Sequence, residues 1–516
     1  MAPSNKRVAV IGAGISGVVT AAHLKNEGLD VAVFERSSAA GGIWFYDERK
    51  PLEPAYSPMP PSEAGRKVTK ENVEESEVKK LLHAPPGPCY IGLKNNVATR
   101  LLETTLNEFP PGTEDFVSHS VLKDYIQDTA AKTAVDALTQ YNTDVRNVTK
   151  VGSKWAVQTS TLKSHDNGTV TFETSTSDFD AVVVASGHYH APRIPNIPGL
   201  ADWKRLYPHR VQHSKGYRSP SDFHGKNFLL IGGSVSSTDI ARELGPIADT
   251  IYQSHRNGAF DLSASLLPEN GIRVDEVMSF ELPSSTTSST TPPTLLPSDP
   301  IPLTATLKSG AKLCEIHHVI LCTGYHLTLP FLPQFHNDST PVDQASEEVL
   351  VTDGTQFHNL HKDVFYIPDP TLAFVGVPFF TATFTLFEFQ AVVVAKVLAG
   401  FADLPSESAM REEYNRRIAT KGYGKAFHSL RDKEEEYVSE LLGWVNADLE
   451  KHGQAELEGH SRQWKEARVE QVQRIKALFA APPRLGRKIE VTCQSAGAVA
   501  LRPGREVEGT LVQAAA

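Results

Sequence analysis

The chain has 516 residues, 40% of them hydrophobic and 22% charged, with a formal net charge of −10. Those are the proportions of a soluble globular protein, at a length that calls for two domains or one domain with a large insertion. The negative balance disfavours a nucleic-acid partner.

Cys89, Cys314, Cys322 and Cys493 are too few and too scattered for a disulfide framework. That usage fits a reducing compartment, and we expect a cytoplasmic protein. The sequons at Asn147, Asn167 and Asn337 then read as chance matches. The short polar start, Met1 to Arg7, does not fit a signal peptide. No apolar run reaches about 18 residues, so no membrane span is expected; Ala391 to Phe401 reads instead as a buried helix.

Arg7 to Ile11 is an apolar run ending at glycine, the pattern of a buried parallel strand. Ile15 to Asn26 has helical composition, with Gly28 suited to its end. Leu29 to Glu35 alternates as a second strand, completing a βαβ unit. Proline-rich patches, Pro51 to Pro61 and Pro85 to Pro88, exclude helix. Asp180 to Ala185 is another buried strand, ending in Ser186-Gly187, and Pro192 to Pro198 reads as an interdomain linker. A second βαβ unit follows: a strand from Phe228 to Ile231, a small-residue turn, a helix through Leu244, and a strand from Thr250 to Gln253. Glu281 to Pro302 is rich in Ser, Thr and Pro and reads as a flexible insertion. His318 to Cys322 is a further strand. Glu407 to Phe479 is charged and helical in pattern, and a loosely held tail is expected from Arg487.

The fold expected is α/β, with two Rossmann-like dinucleotide-binding domains and a helical C-terminal region. The first domain takes residues 1–198 and resumes over 312–486 with the C-terminal helices. The second is inserted at 199–311, and 487–516 forms the tail.

Gly12-Ala13-Gly14-Ile15-Ser16-Gly17 sits between the first strand and helix. Gly12 permits the tight turn, Gly14 lets the backbone approach a pyrophosphate, and Gly17 lets helix and strand pack closely. Glu35 ends the second strand, followed by Arg36. A carboxylate there accepts hydrogen bonds from ribose hydroxyls and repels a 2′-phosphate, which selects FAD or NAD over NADP. Gly41-Gly42-Ile43-Trp44 follows closely.

The second unit carries Gly232-Gly233-Ser234-Val235-Ser236-Ser237. Ser234 and Ser237 stand at glycine positions, and with Ser236 they can still bind phosphate. Where the first unit has Glu35, this one reads Ser254-His255-Arg256. Arg256 suits the 2′-phosphate of NADPH in a charge-assisted contact.

With these motifs the chain resembles the flavin-containing monooxygenases, or class B flavoprotein monooxygenases. Their fingerprint, Phe-x-Gly-x-x-x-His-x-x-x-Phe/Tyr, matches Tyr207 to Tyr217 at His213 and Tyr217, with Tyr207 for phenylalanine and His209 for glycine. The glycine pair Gly41-Gly42 resembles an extension that favours FAD. Leu93-Lys94-Asn95-Asn96 resembles the family's asparagine loop, which gives Asn95 a place at the cofactors and Asn96 the catalytic role. Leu321 to Tyr325, with Thr323, resembles its late Thr-Gly-Tyr strand end. Glu388 and Gln390 resemble its Glu-x-Gln helix near the flavin.

The resemblance implies an FAD- and NADPH-dependent monooxygenase of the N,N-dimethylaniline monooxygenase type, with a small-molecule substrate and O2 as partners. It implies oxygenation of a soft nitrogen or sulfur atom through a flavin C4a-hydroperoxide, with Asn96 holding NADP and the adduct. Baeyer–Villiger members carry Trp at the position of Tyr217, which favours the heteroatom branch here. The chain looks most like soluble fungal members, which points to a nitrogen-containing natural product and secondary metabolism. A homo-oligomer is compatible with all of this.

Three rivals share parts of the pattern. A disulfide reductase would need a close redox cysteine pair, and none is present. A Baeyer–Villiger or other carbon-oxidising enzyme uses the same scaffold, and a non-catalytic nucleotide-binding flavoprotein would tolerate the degenerate second motif. His188, His190, His317 and His318 match no metal framework, and no Gly-x-Ser-x-Gly elbow supports a hydrolase.

Overall fold

The computed structural model describes residues 6–65, 68, 74–166, 168–221, 223–282 and 295–480, with side chains to 477. Asn167, Cys493, the tail from Arg487 and most of the Ser/Thr/Pro-rich stretch lie outside the described residues.

Arg7–Ile11 is fully apolar from Val8 on and buried, so it needs neighbours on both edges and both faces. It pairs in parallel with Asp30–Phe34 on one side and Ala181–Val184 on the other. The sheet runs Leu360–His361, Phe365–Tyr366, Leu372–Phe374, Ala181–Val184, Arg7–Ile11, Asp30–Phe34, Thr139–Gln140. Its first three strands form an antiparallel edge, and the rest are parallel. Chain order reverses across Arg7–Ile11, so a crevice opens where its carboxyl end meets that of Ala181–Val184. Helices Ile15–Asn26 and Thr383–Ala399 pack together on one face. The Ala391–Phe401 segment thus falls mostly within a buried helix, as its apolarity suggests.

An antiparallel meander of Thr143–Val151, Lys154–Ser164 and Val170–Phe179 covers the other face with Trp155, Val157 and Phe179. The sequence reading named none of these strands, although Trp155, Val157 and Thr159 alternate inward.

The second sheet is wholly parallel: Gly271–Val274, Thr250–Ser254, Asn227–Ile231, His318–Leu321, Val211–His213. Its crossover helix is Val235–Leu244. The fingerprint segment therefore supplies an edge strand. Pro208 to Arg210 turns into it with no positive φ at His209, so replacing the family's glycine introduces no backbone strain.

His318–Leu321 lies inside this second sheet, which corrects the boundary expected at 311/312. An apolar strand with partners on both edges cannot leave its sheet. The chain returns to the first domain just after it, where Tyr325–His326 pairs with the outgoing Ala191–Pro192. The two crossings run side by side as a two-stranded hinge. Beyond it, Glu407–Lys421, Glu434–Lys451 and Arg462–Ala480 make up the helical C-terminal region. Among the described residues, no helix is long and apolar enough to cross a membrane.

Candidate functional site

Both glycine turns open onto one cleft of about 2050 Å³ between the two domains. At the first, Gly12 has φ +103°, and a Cβ there would lie 2.7 Å from the Ala185 carbonyl oxygen. Gly17 does not line the cleft: its bare Cα packs against the Gly12 carbonyl, where any side chain would collide. Gly14 has ordinary dihedrals but faces Gly42, whose Cα would be 3.5 Å from a Gly14 Cβ. The Gly41 N–H donates to Ala13 at 3.1 Å, which folds the glycine pair over the turn. Helix Ile15–Asn26 begins without a side-chain cap, so its first N–H groups are available to an anion.

Glu35 is buried at the cleft wall. Its two oxygens accept the N–H groups of Ala13 at 2.7 Å and Ser37 at 2.8 Å. Each oxygen keeps a lone pair for a ribose hydroxyl. Ser16, Arg36, Ile43 and Trp44 also line the cleft, and Arg36 Nη2 lies 3.4 Å from His190 Nδ1. Lys215, buried beside Arg36 and Arg218, donates to the His190 carbonyl at 2.8 Å. Burial and those two cations push its pKa down to about 7.

The second turn repeats the first. Gly232 has φ +127° and abuts the Cys322 carbonyl, as Gly12 abuts that of Ala185. Helix Val235–Leu244 starts at Ser234, also without a side-chain cap. Ser234, Ser236 and Arg256 line the cleft, and Arg256 is exposed. Ser237 does not line it. Its hydroxyl donates to the Ser234 carbonyl at 2.9 Å and receives Gln253 Nε2 at 2.8 Å, so it shapes the turn from behind. The sequence reading missed Asp261, whose Cγ would lie 2.7 Å from a Gly233 Cβ. That carboxylate accepts the Gly258 N–H and pairs with His255, 3.5 Å away. The two cradles fit two dinucleotides: the first leaves Gly14 bare where a pyrophosphate must approach, the second puts the small Ser234 there, and the helix N–H groups of both are uncapped.

The asparagine loop lies along the same cleft. Asn95, expected at the cofactors, lines the cleft too, but its side-chain amide is bonded within the loop. Its Nδ2 donates to Val97 and Asp115 at 2.7 Å each, and its Oδ1 accepts the Val117 N–H at 2.6 Å. A buried amide with three bonds has little left to offer. Asn96, its exposed neighbour, is thereby presented to the cleft.

The fingerprint residues act behind the cleft. His213 bridges to Gly324, and Thr323 donates to the Arg193 carbonyl at 2.5 Å, so both pin the hinge. Thr323 also lines the cleft. Tyr217 does not: it is 1% exposed, edge-on to Tyr90 at 5.6 Å, with its hydroxyl against Glu243. Glu243 and Asp239, one helical turn apart, both have pKa values raised by burial, and Tyr90 donates to Asp239. Glu388 faces away, holding His23 at 3.1 Å and Thr105 at 2.6 Å. Gln390 accepts the Gly376 N–H at 3.0 Å, and a Cβ on Gly376 would lie 3.3 Å from the Ser16 side chain. The four histidines do not gather: His318 stacks on Phe228, and His317 bonds Asn227 and Ser298.

Paired nucleotide cradles on inserted α/β domains, facing one cleft, define a two-dinucleotide-binding-domain flavoprotein. A flavin-binding monooxygenase-like family model matches residues 95–289 and 301–450, and a NAD(P)-binding Rossmann-like domain matches residues 10–56. The chain belongs to the flavin-containing monooxygenase family: it is an NADPH-dependent flavoprotein monooxygenase with FAD and NADPH as cofactors. It is 48% identical over 495 residues to flavin-containing monooxygenase ustF2 of Aspergillus flavus, covering 92% of this chain and 99% of that one. With ustF1 of the same fungus it shares 40% over 465 residues, covering 90% and 88%. The S-allyl-L-cysteine S-oxygenase of Allium sativum shares the fold, with a TM-score of 0.65 at 23% identity over 93% and 96% of the two chains.

Proposed function

We propose that the chain oxygenates a nitrogen or sulfur atom of a small organic molecule, with FAD in the first cradle and NADPH in the second. The balance is NADPH, H⁺, O2 and substrate giving NADP⁺, water and the oxygenated substrate. Two electrons come from NADPH; one oxygen atom bonds to the substrate's lone pair and the other leaves as water. The flavin, when bound, supplies the activation of O2. The protein's own part is placement and exclusion of water. Glu35 and the Gly12 to Gly17 turn would hold the adenosine end of FAD. Arg256 would meet the 2′-phosphate of NADPH, and Asn96 lines the same cleft.

The observation that carries the heteroatom reading is Tyr217. It fills its buried niche against Tyr90 and Glu243, where the Baeyer–Villiger branch has the larger Trp. The named S-oxygenase on the same fold agrees with this choice. A nitrogen-containing natural product is the substrate class we favour, because the relatives of high identity are fungal.

The test is product analysis with ¹⁸O2, NADPH and a panel of amines, sulfides and cyclic ketones. Labelled N- or S-oxygenated products support the proposal. Labelled esters or lactones from the ketones alone would move the chain to the carbon-oxidising branch. Substrate-independent NADPH consumption with hydrogen peroxide as the only product across the panel would make the chain an NADPH oxidase, and no consumption at all would leave only a nucleotide-binding role.

A further inference from the structure

We propose that Gln471, on the C-terminal helix Arg462–Ala480, is the positioning residue for Asn96. This rests on the reading of Asn96 given above. Gln471 is 4% exposed and lines the cleft. Its Oε1 accepts the Ala98 N–H at 2.7 Å, and its Nε2 donates to the Asn96 carbonyl at 3.4 Å. Burying an amide is costly unless both ends are bonded. Here both ends are spent on the backbone flanking Asn96. Asn95 anchors the loop from the inner side, through Val97, Asp115 and Val117. Gln471 holds it a second time, at the Asn96 carbonyl and the Ala98 N–H, so the backbone that carries the Asn96 side chain is fixed from two elements.

The helix does not need Gln471 in order to dock. Trp464 is buried, stacks on His460 at 3.5 Å and donates to the Leu101 carbonyl at 3.2 Å. Glu470 pairs with Arg100 at 2.8 Å. Arg474 and Ile475, one turn beyond Gln471, also line the cleft, so the helix forms a wall beside Asn96. The helix therefore has two separable roles: Trp464 and Glu470 hold it in place, and Gln471 passes that placement to the catalytic loop.

The test uses the holoenzyme and two variants beside Asn96→Ala. Gln471→Leu removes both bonds while keeping an apolar helix former. Amide hydrogen exchange should rise in the loop around Asn96 to Ala98, with the Trp464 region unchanged. FAD content and the rate of flavin reduction by NADPH should hold, and hydrogen peroxide released per NADPH should rise severalfold. Gln471→Glu keeps the acceptor for Ala98 but donates to Asn96 only when its carboxyl is protonated. Burial raises that carboxyl's pKa. Coupling should then match wild type at low pH and fall as pH rises through the new carboxyl's pKa, while wild type stays flat. A purely structural helix contact would not produce that pH profile. Unchanged loop exchange and coupling in Gln471→Leu, with Asn96→Ala uncoupled, would overturn the role of Gln471 alone. A fully coupled Asn96→Ala would overturn the reading of Asn96, and this proposal with it. A pH-independent Gln471→Glu would also reject the proposal.

Discussion

His213 donates its Nε2–H to the Gly324 carbonyl at 3.2 Å while its Nδ1 accepts the Lys215 N–H at 3.1 Å. One neutral imidazole thus ties the edge strand of the second domain to the hinge. Burial pushes its pKa down to about 3, from an ordinary 6.5. A base depressed in the fold stays neutral there and is charged when unfolded. Its contribution to stability is whole above 6.5 and is lost as pH falls through the window down to the folded value, at up to about 1.4 kcal/mol per pH unit. We expect Tm of the holoenzyme to drop on acidification from pH 7 to about 5. His213→Gln should have a lower Tm at neutral pH and a shallower acid slope. Parallel slopes for the two proteins, read by scanning calorimetry, would contradict this account.

Gly14 and Gly12 should respond differently to a side chain. Gly14 has ordinary dihedrals and a Cβ there would make only van der Waals contact with Gly42, so Gly14→Val should fold but block the pyrophosphate and purify without flavin. Gly12 is left-handed and jammed against Ala185, so Gly12→Val should lose about 1–3 kcal/mol of stability or more. Flavin absorbance and urea titration of both variants separate the two effects. A yellow Gly14→Val at full stoichiometry would refute the cradle assignment.

Arg256→Ala removes the exposed cleft cation proposed to meet the 2′-phosphate. NADPH should weaken by about 1.5–3 kcal/mol, roughly tenfold or more, with NADH little changed. Steady-state KM values for the two nucleotides decide it. Equal losses would make Arg256 a surface charge.

Asn96→Ala should still consume NADPH but release more hydrogen peroxide and less product, because flavin reduction depends on nicotinamide stacking and product formation on held geometry and excluded water. The measurement is peroxide and product per NADPH, beside the rate of anaerobic flavin reduction. Slow reduction with tight coupling would assign Asn96 to the reductive half instead.

Asp363 is fully buried and is met by Arg417 at 2.7 Å and His428 at 2.9 Å. Those neighbours hold its carboxyl well below the usual range, overcoming the opposing effect of burial. Arg417→Ala leaves that charge without its main partner and should cost about 3–5 kcal/mol. Urea denaturation monitored by circular dichroism should report it. A loss within about 0.5 kcal/mol would mean the network is not needed for the fold.

Local signals carried much of this protein. The two βαβ units, both glycine turns and the places of Glu35 and Arg256 at the cleft wall were legible because strand, turn and helix adjoin in sequence, so neighbouring residues carry the message. The placement of His318–Leu321 was not. Nothing local tells a buried strand which of two parallel sheets it joins, and only pairing with Asn227–Ile231 and Val211–His213 decides it. The surroundings of Asn95, Tyr217 and Ser237 were likewise not legible, because burial and hydrogen bonds across the fold decide them. Asn95 and Asn96 look equivalent in sequence and both line the cleft, yet Asn95 is buried with its amide spent on Val97, Asp115 and Val117, while Asn96 is exposed. Gln471 lies 375 residues from Asn96 and carries no motif. A hydrogen bond across that separation exists only once the chain has packed, so only the tertiary structure brings Gln471 to the site.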